Sequence, residues 1–305
     1  MKFDPTLRCC KPTFERIKAI PKNNVQKSIP LVLLIWFVVF TIGQLLELMA
    51  IAGMKRSTED TLLLLYLTIF ETLAILLFCV GVEKRTFRSL GFTKKLAVPH
   101  YLIGVVLGVA MLGGSVLIAK LCGALSFQGI EQNIAWGTLA AYLGGWLLQG
   151  LSEEVVCRSY LLCDVGTHHK PWTAIVVSAL AFMALHLGNP NTSIVAFLNL
   201  FLFGVFAALL FLRTDSIWMV AAVHSLWNCA QGNIFGVEVS GMEIEAAIIR
   251  FLPVEGKDLI SGGAFGMEGG LGVTAVMLLG IAVLLFDYRK NAETVSAAEN
   301  AAAEA

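Results

Sequence analysis

Ionisable and amide side chains interrupt three otherwise apolar stretches in the middle of the chain. They are Glu153, Glu154 and Arg158, then His186, then His224 and Asn228. If these stretches cross a bilayer, each ionised group near its centre costs about 2.5–3.5 kcal/mol and must face protein or water. These residue types also supply general bases, oxyanion donors and metal ligands. We therefore take them as candidate functional residues, with Glu47 and Glu71 as outliers in earlier apolar stretches.

The two neighbouring glutamates are expected to play different roles. Glu154 and Arg158 stand at positions i and i+4, the spacing at which a carboxylate and a guanidinium pair on one helical face. Glu153 points about 100° away from that face and stays outside the pair. Glu154 is therefore expected to be structural, whereas Glu153 is free to act as a general base.

Each of the two histidines shares a helical face with a second side chain. Phe182 precedes His186 by one turn and can form a wall of its pocket. His224 and Asn228 are also one turn apart and present two hydrogen-bond donors, which is what an oxyanion requires. The three groups are expected at similar depths on three helices, which favours one shared site over three unrelated packing residues.

The composition indicates an integral membrane protein. Of 305 residues, 57% are hydrophobic and 14% are charged, against about 25% charged in an ordinary soluble domain. Lys plus Arg and Asp plus Glu balance at 22 each, which gives no reason to expect nucleic acid as a partner. The seven cysteines include no CxxC pair, so neither a disulfide framework nor a zinc knot is expected.

Eight apolar stretches approach the length of about 20 residues that a helix needs to cross the hydrocarbon layer. They are 31–53, 61–82, 101–125, 134–163, 171–188, 192–212, 216–235 and 269–286. The predicted fold is all-α, a polytopic membrane protein of about eight transmembrane helices. Among the basic residues outside these stretches, only Lys55, Arg56, Arg250 and Lys257 lie on one side of the membrane. The other side, with both termini, is therefore expected to be cytoplasmic.

The chain divides accordingly into six segments. They are a basic cytoplasmic N-terminal arm (1–28), transmembrane helices one to three (29–133), a core of helices four to seven (134–236), an extracytoplasmic loop (237–268), transmembrane helix eight (269–290) and a disordered tail (291–305). Within the loop, 243–252 and the glycine-rich 262–266 allow an interfacial helix and a re-entrant turn, with a plain loop as the alternative. The tail lacks the apolar periodicity that packing requires.

The three motifs resemble those of the CPBP family, also called the Abi or CAAX prenyl protease type 2 family, which includes lysostaphin-resistance-like proteins. These proteins are intramembrane endopeptidases. The family pattern EExxxR, FxxxH and HxxxN stands here as Glu153 to Arg158, Phe182 to His186 and His224 to Asn228. The resemblance covers about 134–236, and the eight-helix count of the family agrees with the predicted spans.

The resemblance implies an enzyme that hydrolyses a peptide bond within the membrane. Glu153 and His186 would activate a water molecule. His224 and Asn228 would stabilise the tetrahedral oxyanion. Support for the shape of the site would come from Glu154, Arg158 and Phe182.

The need for a metal stays open at the level of the sequence. The family has been described both as metalloproteases and as glutamate-dependent peptidases. Glu153, His186 and His224 are an adequate ligand set for a catalytic zinc with an open fourth position. However, the chain has no HExxH sequence, which would supply two ligands and a base from one helix. The cofactor is zinc or none, and the metal-independent scheme is favoured.

Two other classes of protein remain as alternatives. A transporter or channel would use the same residues to relay protons or bind a cation, but it predicts inverted repeats, which the sequence lacks. A non-catalytic immunity or binding protein would hold a membrane peptide without cleaving it.

The expected partners are the lipid bilayer and a membrane-embedded or lipidated peptide substrate. Nucleic acid is not expected. Short loops and a basic N-terminal arm suit a bacterial plasma membrane, where a short peptide or a signal-peptide-like segment is the favoured substrate.

Overall fold

The computed structural model describes residues 11–21, 23–54 and 60–304, with side-chain surroundings between 13 and 292. Over these residues the chain is mostly helical, which confirms the all-α class. The first ten residues of the predicted arm, Lys22, and the loop residues Lys55 and Arg56 lie outside the described part, and so does the last residue of the tail.

Each of the eight predicted stretches contains a helix. The α-helices are α1 (Lys11–Lys18), α2 (Ile29–Met54), α3 (Thr61–Leu67), α4 (Ile69–Gly81), α5 (Ala97–Leu121), α6 (Trp136–Glu154), α7 (Cys163–His168), α8 (Pro171–Leu185), α9 (Ile194–Thr214), α10 (Ile217–Cys229), α11 (Asp258–Ser261) and α12 (Leu271–Glu304). Two π-helical segments, Val155–Leu162 and Ala230–Ile234, extend α6 and α10. Short 3₁₀ turns lie at Phe87–Leu90, Gly263–Phe265 and Met267–Gly269.

Five helical stretches in the described part of the chain are long and apolar enough to cross a membrane. They are Ile29–Met54, Thr61–Gly81, Ala97–Leu121, Ile194–Thr214 and Leu271–Ala292. Of the other three predicted spans, α8 has 15 residues and α10 has 13, which is shorter than the hydrocarbon layer requires. The count of eight spans therefore stays a prediction, and the three shorter or more polar helices are the ones that carry the candidate site.

The long connection 237–268 contains a strand instead of an interfacial helix. Strand β2 (Ile249–Pro253) pairs antiparallel with β1 (Leu125–Ile130), from Leu125 opposite Pro253 to Ile130 opposite Ile249. Of the two alternatives for 243–252, the helix is absent: 243–248 form no helix, and 249–252 pair with β1, whose first residue the sequence placed in the third span. The Gly-rich 262–266 forms short turns, in which Gly262, Gly263 and Gly266 have positive φ angles.

The C-terminal tail continues as a helix where disorder is expected. Helix α12 runs without a break to Glu304. The tail is rich in alanine and glutamate, and both residues have high intrinsic helix propensity. The tail has no apolar face that predicts packing against the bundle. A helix that has already formed in the membrane segment can nevertheless continue through it, because extending a helix costs less than starting one.

Helix α10 lies at the centre of the bundle, and nearly all of its residues are buried. Ser216 caps it through a hydroxyl that accepts a hydrogen bond from the Trp218 amide, a typical N-cap arrangement. The helix packs against α5, α6 and α9.

Two glycines lie where neighbouring helices meet α10. A Cβ atom at Gly104 of α5 would lie 2.8 Å from the Cβ of Ala222, and one at Gly150 of α6 would lie 2.7 Å from the Ser225 amide nitrogen. These two glycines therefore let α5 and α6 approach α10 closely.

Candidate active site

His224 lies between the two adjacent glutamates of α6. Its Nδ1 is 2.8 Å from Oε1 of Glu154, and its Nε2 is 3.7 Å from Oε2 of Glu153. An ionised carboxylate only accepts hydrogen bonds, so Nδ1 carries the ring hydrogen and donates a hydrogen bond to Glu154. The bond fixes the ring so that Nε2 faces Glu153. His224 is 4% exposed, and the Glu153 side chain is 17% exposed.

The ion pair expected between Glu154 and Arg158 is present. Nη1 of Arg158 lies 3.1 Å from Oε1 of Glu154, and both side chains are fully buried. The other end of the guanidinium donates to the backbone oxygen of Gly204 at 3.3 Å. Its Cζ atom also lies 4.8 Å from the centre of the Phe182 ring, within the range of a cation–π contact. Arg158 thus holds Glu154 in place and joins α9 and α8 to the site.

His186 directly follows α8 and is held by the last turn of that helix. Its Nδ1 donates to the backbone oxygen of Phe182 at 3.0 Å, because a carbonyl oxygen can only accept. In neutral His186, Nε2 therefore keeps a lone pair. The Phe182 ring lies 5.0 Å from the His186 ring and 5.7 Å from the His224 ring. Phe182 therefore forms the wall between the two histidines, as the FxxxH spacing predicts.

Gln149 is a residue of the site that the motif reasoning missed. Its Nε2 donates to Oε1 of Glu153, and its Oε1 accepts a hydrogen bond from Nδ2 of Asn228 at 3.0 Å. One amide therefore links the candidate base to the candidate oxyanion donor. The sequence does contain a signal, since Gln149 is a polar residue one turn before Glu153 on the same face of an apolar helix.

Phe203 of α9 also belongs to the site. Its ring packs edge-on against His224 with the ring centres 4.9 Å apart, and it stacks with Phe182 at 5.4 Å. An aromatic residue in an apolar membrane helix carries no signal of this role in the sequence.

A cavity of about 350 Å³ brings the candidate side chains to one surface. Its wall contains Glu153, Phe182, His186, His224 and Asn228, together with Gln149. Glu154 and Arg158 lie behind this wall, since both are fully buried. The chemical groups thus face the cavity, whereas the ion pair supports them from the interior.

The two outlying glutamates of the sequence line the same cavity. Glu47 comes from α2 and Glu71 from α4. Glu71 accepts hydrogen bonds from Gln44 and from the hydroxyl of Ser152, the latter at 3.2 Å. Since Ser152 precedes Glu153, this bond connects Glu71 to the segment that carries the candidate base.

Two of the three helices that carry the motifs, α6 and α10, change to π-helix within or shortly after their motif. Helix α6 becomes π-helical at Val155, next to Glu154, and α10 does so at Ala230, two residues after Asn228. A π-helical segment widens the turn and redirects the side chains that follow, and such segments occur frequently at functional sites. Arg158 lies in the first of them. Sequence periodicity does not predict this change.

The described residues do not form a metal-binding cluster. Within the ranges that the structure describes, no three His, Cys, Asp or Glu side chains converge on one point. Glu153 lies near His224, but among these residues it forms no hydrogen bond or ion pair with His186. The ligand set Glu153, His186 and His224 therefore does not fit a catalytic zinc in this arrangement. The three side chains would have to lie closer together for all of them to bind one ion.

Fold and site together define an integral membrane protein that carries a buried Glu–His site on its shorter helices. Residues 135–230 match the family described as Rce1-like, type II CAAX prenyl endopeptidase Rce1-like. The resemblance to the CPBP family is thus confirmed for the segment that contains all three motifs. In broad terms the match supports a protease of the CAAX type acting in the membrane. Comparison with curated proteins found no match, and neither did comparison with solved structures.

Proposed function

We propose that this protein is an intramembrane endopeptidase that hydrolyses a peptide bond of a membrane-associated peptide or protein. The observation that carries the proposal is the position of His224, held by Glu154 and facing Glu153 on the wall of the cavity. A buried histidine between two carboxylates brings a candidate base and a hydrogen-bond donor to one place. The family match covers this arrangement.

Glu153 and His186 are proposed to activate the attacking water. Oε1 of Glu153 is occupied by Gln149, whereas Oε2 has no hydrogen-bond partner among the described residues. The Glu153 carboxylate, which lines the cavity, is proposed to accept a proton from a water there, and the Nε2 lone pair of neutral His186 to orient that water by accepting its second hydrogen. The oxygen then adds to the peptide carbonyl carbon. Glu153 transfers the proton to the leaving nitrogen as the C–N bond breaks, which restores the carboxylate.

His224 and Asn228 are proposed to stabilise the oxyanion of the tetrahedral intermediate. Nδ1 of His224 donates to Glu154, and this bond holds the ring with Nε2 on the side of Glu153, where an Nε2–H group would donate to the oxyanion. The Asn228 amide uses one of its two hydrogens on Gln149 and keeps the other for the substrate. Donors held in place before the reaction avoid the cost of reorientation in the transition state.

The substrate and the membrane are proposed on chemical grounds. A cavity inside a helical bundle suits a short membrane peptide or a signal-peptide-like segment. The distribution of basic residues supports an orientation with both termini in the cytoplasm, in a bacterial plasma membrane.

The proposal is tested with the full chain in detergent and a library of fluorogenic membrane peptides. The lanes are wild type, Glu153→Gln, and Glu243→Gln, a control at an exposed acid outside the cavity. Wild type and the control should cleave, whereas Glu153→Gln should lose at least about 10³-fold of the rate, as expected for removal of a general base.

Cleavage by the wild-type protein is also measured after incubation with a strong zinc chelator, which tests whether the reaction needs a metal. Cleavage is expected to survive chelation, because Glu153, His186 and His224 do not converge on one ion. Cleavage that persists in Glu153→Gln would contradict the proposed base. A wild-type protein that binds a library peptide and leaves it intact would instead identify a binding protein.

A further inference from the structure

The wall of the cavity is strongly acidic. Four glutamates line it, Glu47, Glu71, Glu153 and Glu268, and no Lys or Arg is among the described residues that form its wall. Carboxylates in a cavity with low-dielectric walls focus a negative potential into it. Among the described lining residues, only the two histidines of the proposed chemistry can carry a positive charge, so the ionised form of these carboxylates is stabilised by a cation that enters the cavity. The cavity therefore favours a cationic occupant over an anionic one.

Glu47 is the residue that most needs an external partner. It lies in the middle of the membrane helix α2 and is 8% exposed. Within the described part of the chain its carboxylate makes no hydrogen bond or ion pair, and it faces the cavity. An unpaired acid within a membrane helix is costly and marks a functional position. Among the residues that the structure describes, no cation pairs with Glu47.

Glu71 places this charge next to the proposed catalytic base. Its carboxylate lies within electrostatic range of both Glu153 and Glu47. Gln44, which donates to Glu71, stands on α2 one turn before Glu47, or about 4.5 Å along the helix axis. The three carboxylates therefore form a row along the cavity wall, with Glu71 between Glu153 and Glu47. A substrate bound at Glu153 would extend past the other two.

We propose that Glu47 and Glu71 form a subsite for a cationic side chain, Lys or Arg, of the peptide substrate. The inference rests on the proposed function, because it assigns the specificity of the same cavity. A long basic side chain can reach the two carboxylates while its aliphatic part contacts the apolar wall. A free C-terminal carboxylate would meet four glutamates and no Lys or Arg in the described wall. The subsite therefore selects basic internal segments over anionic C-termini.

Binding, and not cleavage, provides the test, so that its result does not depend on turnover. The full chain carrying Glu153→Gln is mixed in detergent with fluorescent Leu/Ala peptides of about 20 residues that differ only in one central residue, Lys, Met or Glu. The Lys peptide should bind about tenfold more tightly than the Met peptide, equivalent to about 1.4 kcal/mol. The Glu peptide should bind more weakly than both.

Substitutions of Glu47 and Glu71 then test whether these two residues cause the preference for the Lys peptide. Adding Glu47→Gln or Glu71→Gln should reduce the Lys preference, and the two together should abolish it. Adding Glu243→Gln, the same change at an exposed acid outside the cavity, should leave it intact. Glu47→Lys should shift the preference toward the Glu peptide, a gain that misfolding does not produce.

Equal binding of the Lys and Met peptides, or a Lys preference that survives both glutamine substitutions, would overturn the subsite. The proposed function fails differently, through cleavage that does not depend on Glu153. The two failures are therefore distinguishable.

Discussion

Glu154 holds His224 through a 2.8 Å hydrogen bond from Nδ1 of the imidazole, and both side chains are buried. The same carboxylate oxygen of Glu154 also lies 3.1 Å from Nη1 of Arg158. One acid therefore fixes the tautomer and the direction of the histidine and compensates the charge of the arginine. Stability and activity therefore both depend on Glu154, the first through Arg158 and the second through His224.

Glu154→Gln should reduce both properties. It removes the charge that pairs with Arg158, and an unpaired buried charge costs about 3–5 kcal/mol of stability. It also replaces the carboxylate that accepts the hydrogen bond from Nδ1 of His224, and losses of this kind cost about 10²- to 10⁴-fold in rate. Thermal unfolding in detergent and peptide cleavage measure the two effects.

The double variant Glu154→Gln and Arg158→Met separates the effect on stability from the effect on the cleavage rate. Removal of both charges should restore most of the stability, since an apolar replacement of a buried ion pair is often neutral. The rate should remain low. A rate that recovers together with stability would mean that Glu154 acts only as a partner of Arg158.

Gln149→Leu should lower the cleavage rate by about tenfold and leave the fold intact. The change removes one hydrogen bond to Glu153 and one to Asn228, and a hydrogen bond to a charged group is worth about 1.5–3 kcal/mol. Because Gln149 acts through these residues, the pH profile of kcat should shift as well. The matched control, Gln128→Leu at an exposed position, should change neither quantity. An unchanged pH profile would indicate a purely structural Gln149.

Glu83→Gln should flatten the dependence of stability on pH. Burial, and then the neighbouring Asp164 carboxylate, raise the pKa of Glu83 from 4.5 to about 10. One arginine, Arg85, is paired with Asp164 at 2.7 Å and lies 3.8 Å from Glu83, so the second acid keeps its proton. The unfolded chain ionises Glu83 at lower pH, and the contribution to stability is therefore lost as the pH rises from about 4.5 to about 10.

The measurement is the melting temperature between pH 5 and pH 9. Glu83→Gln should lose less stability over this range than wild type, because glutamine resembles the protonated acid. Glu255→Gln, at an exposed acid, should follow the wild-type curve. A Glu83→Gln protein as pH-dependent as wild type would exclude a retained proton at this position.

Gly104→Ala should destabilise the protein by about 1–3 kcal/mol, the usual cost of overpacking. The added Cβ would lie 2.8 Å from the Cβ of Ala222 and force α10 away from α5. Activity should fall with stability, because α10 carries His224. Gly137→Ala in α6 is the control, since its Cβ meets no atom within 4 Å. It should be neutral or stabilising by about 0.5–1 kcal/mol, and equal effects at the two glycines would contradict the close contact.

Much of the architecture follows from local properties of the sequence. Hydrophobicity adds along a stretch of chain, so the helices at the eight apolar stretches follow from composition alone. The Glu154–Arg158 pair and the contact of Phe182 with His186 are also local, since a helical turn by itself brings such residues together. The resemblance adds the motifs that residues 135–230 share with the family.

Tertiary structure decided which of these helices face one another and at what rotation. It placed His224 between the two glutamates, gave Gln149 a role between Glu153 and Asn228, and brought Glu47 and Glu71 to the same cavity. It also paired 249–253 with a distant strand. These relationships depend on close packing at positions such as Gly104 and Gly150 and on π-helical turns. Such features arise from contacts between segments far apart in the chain, which local spacing does not encode.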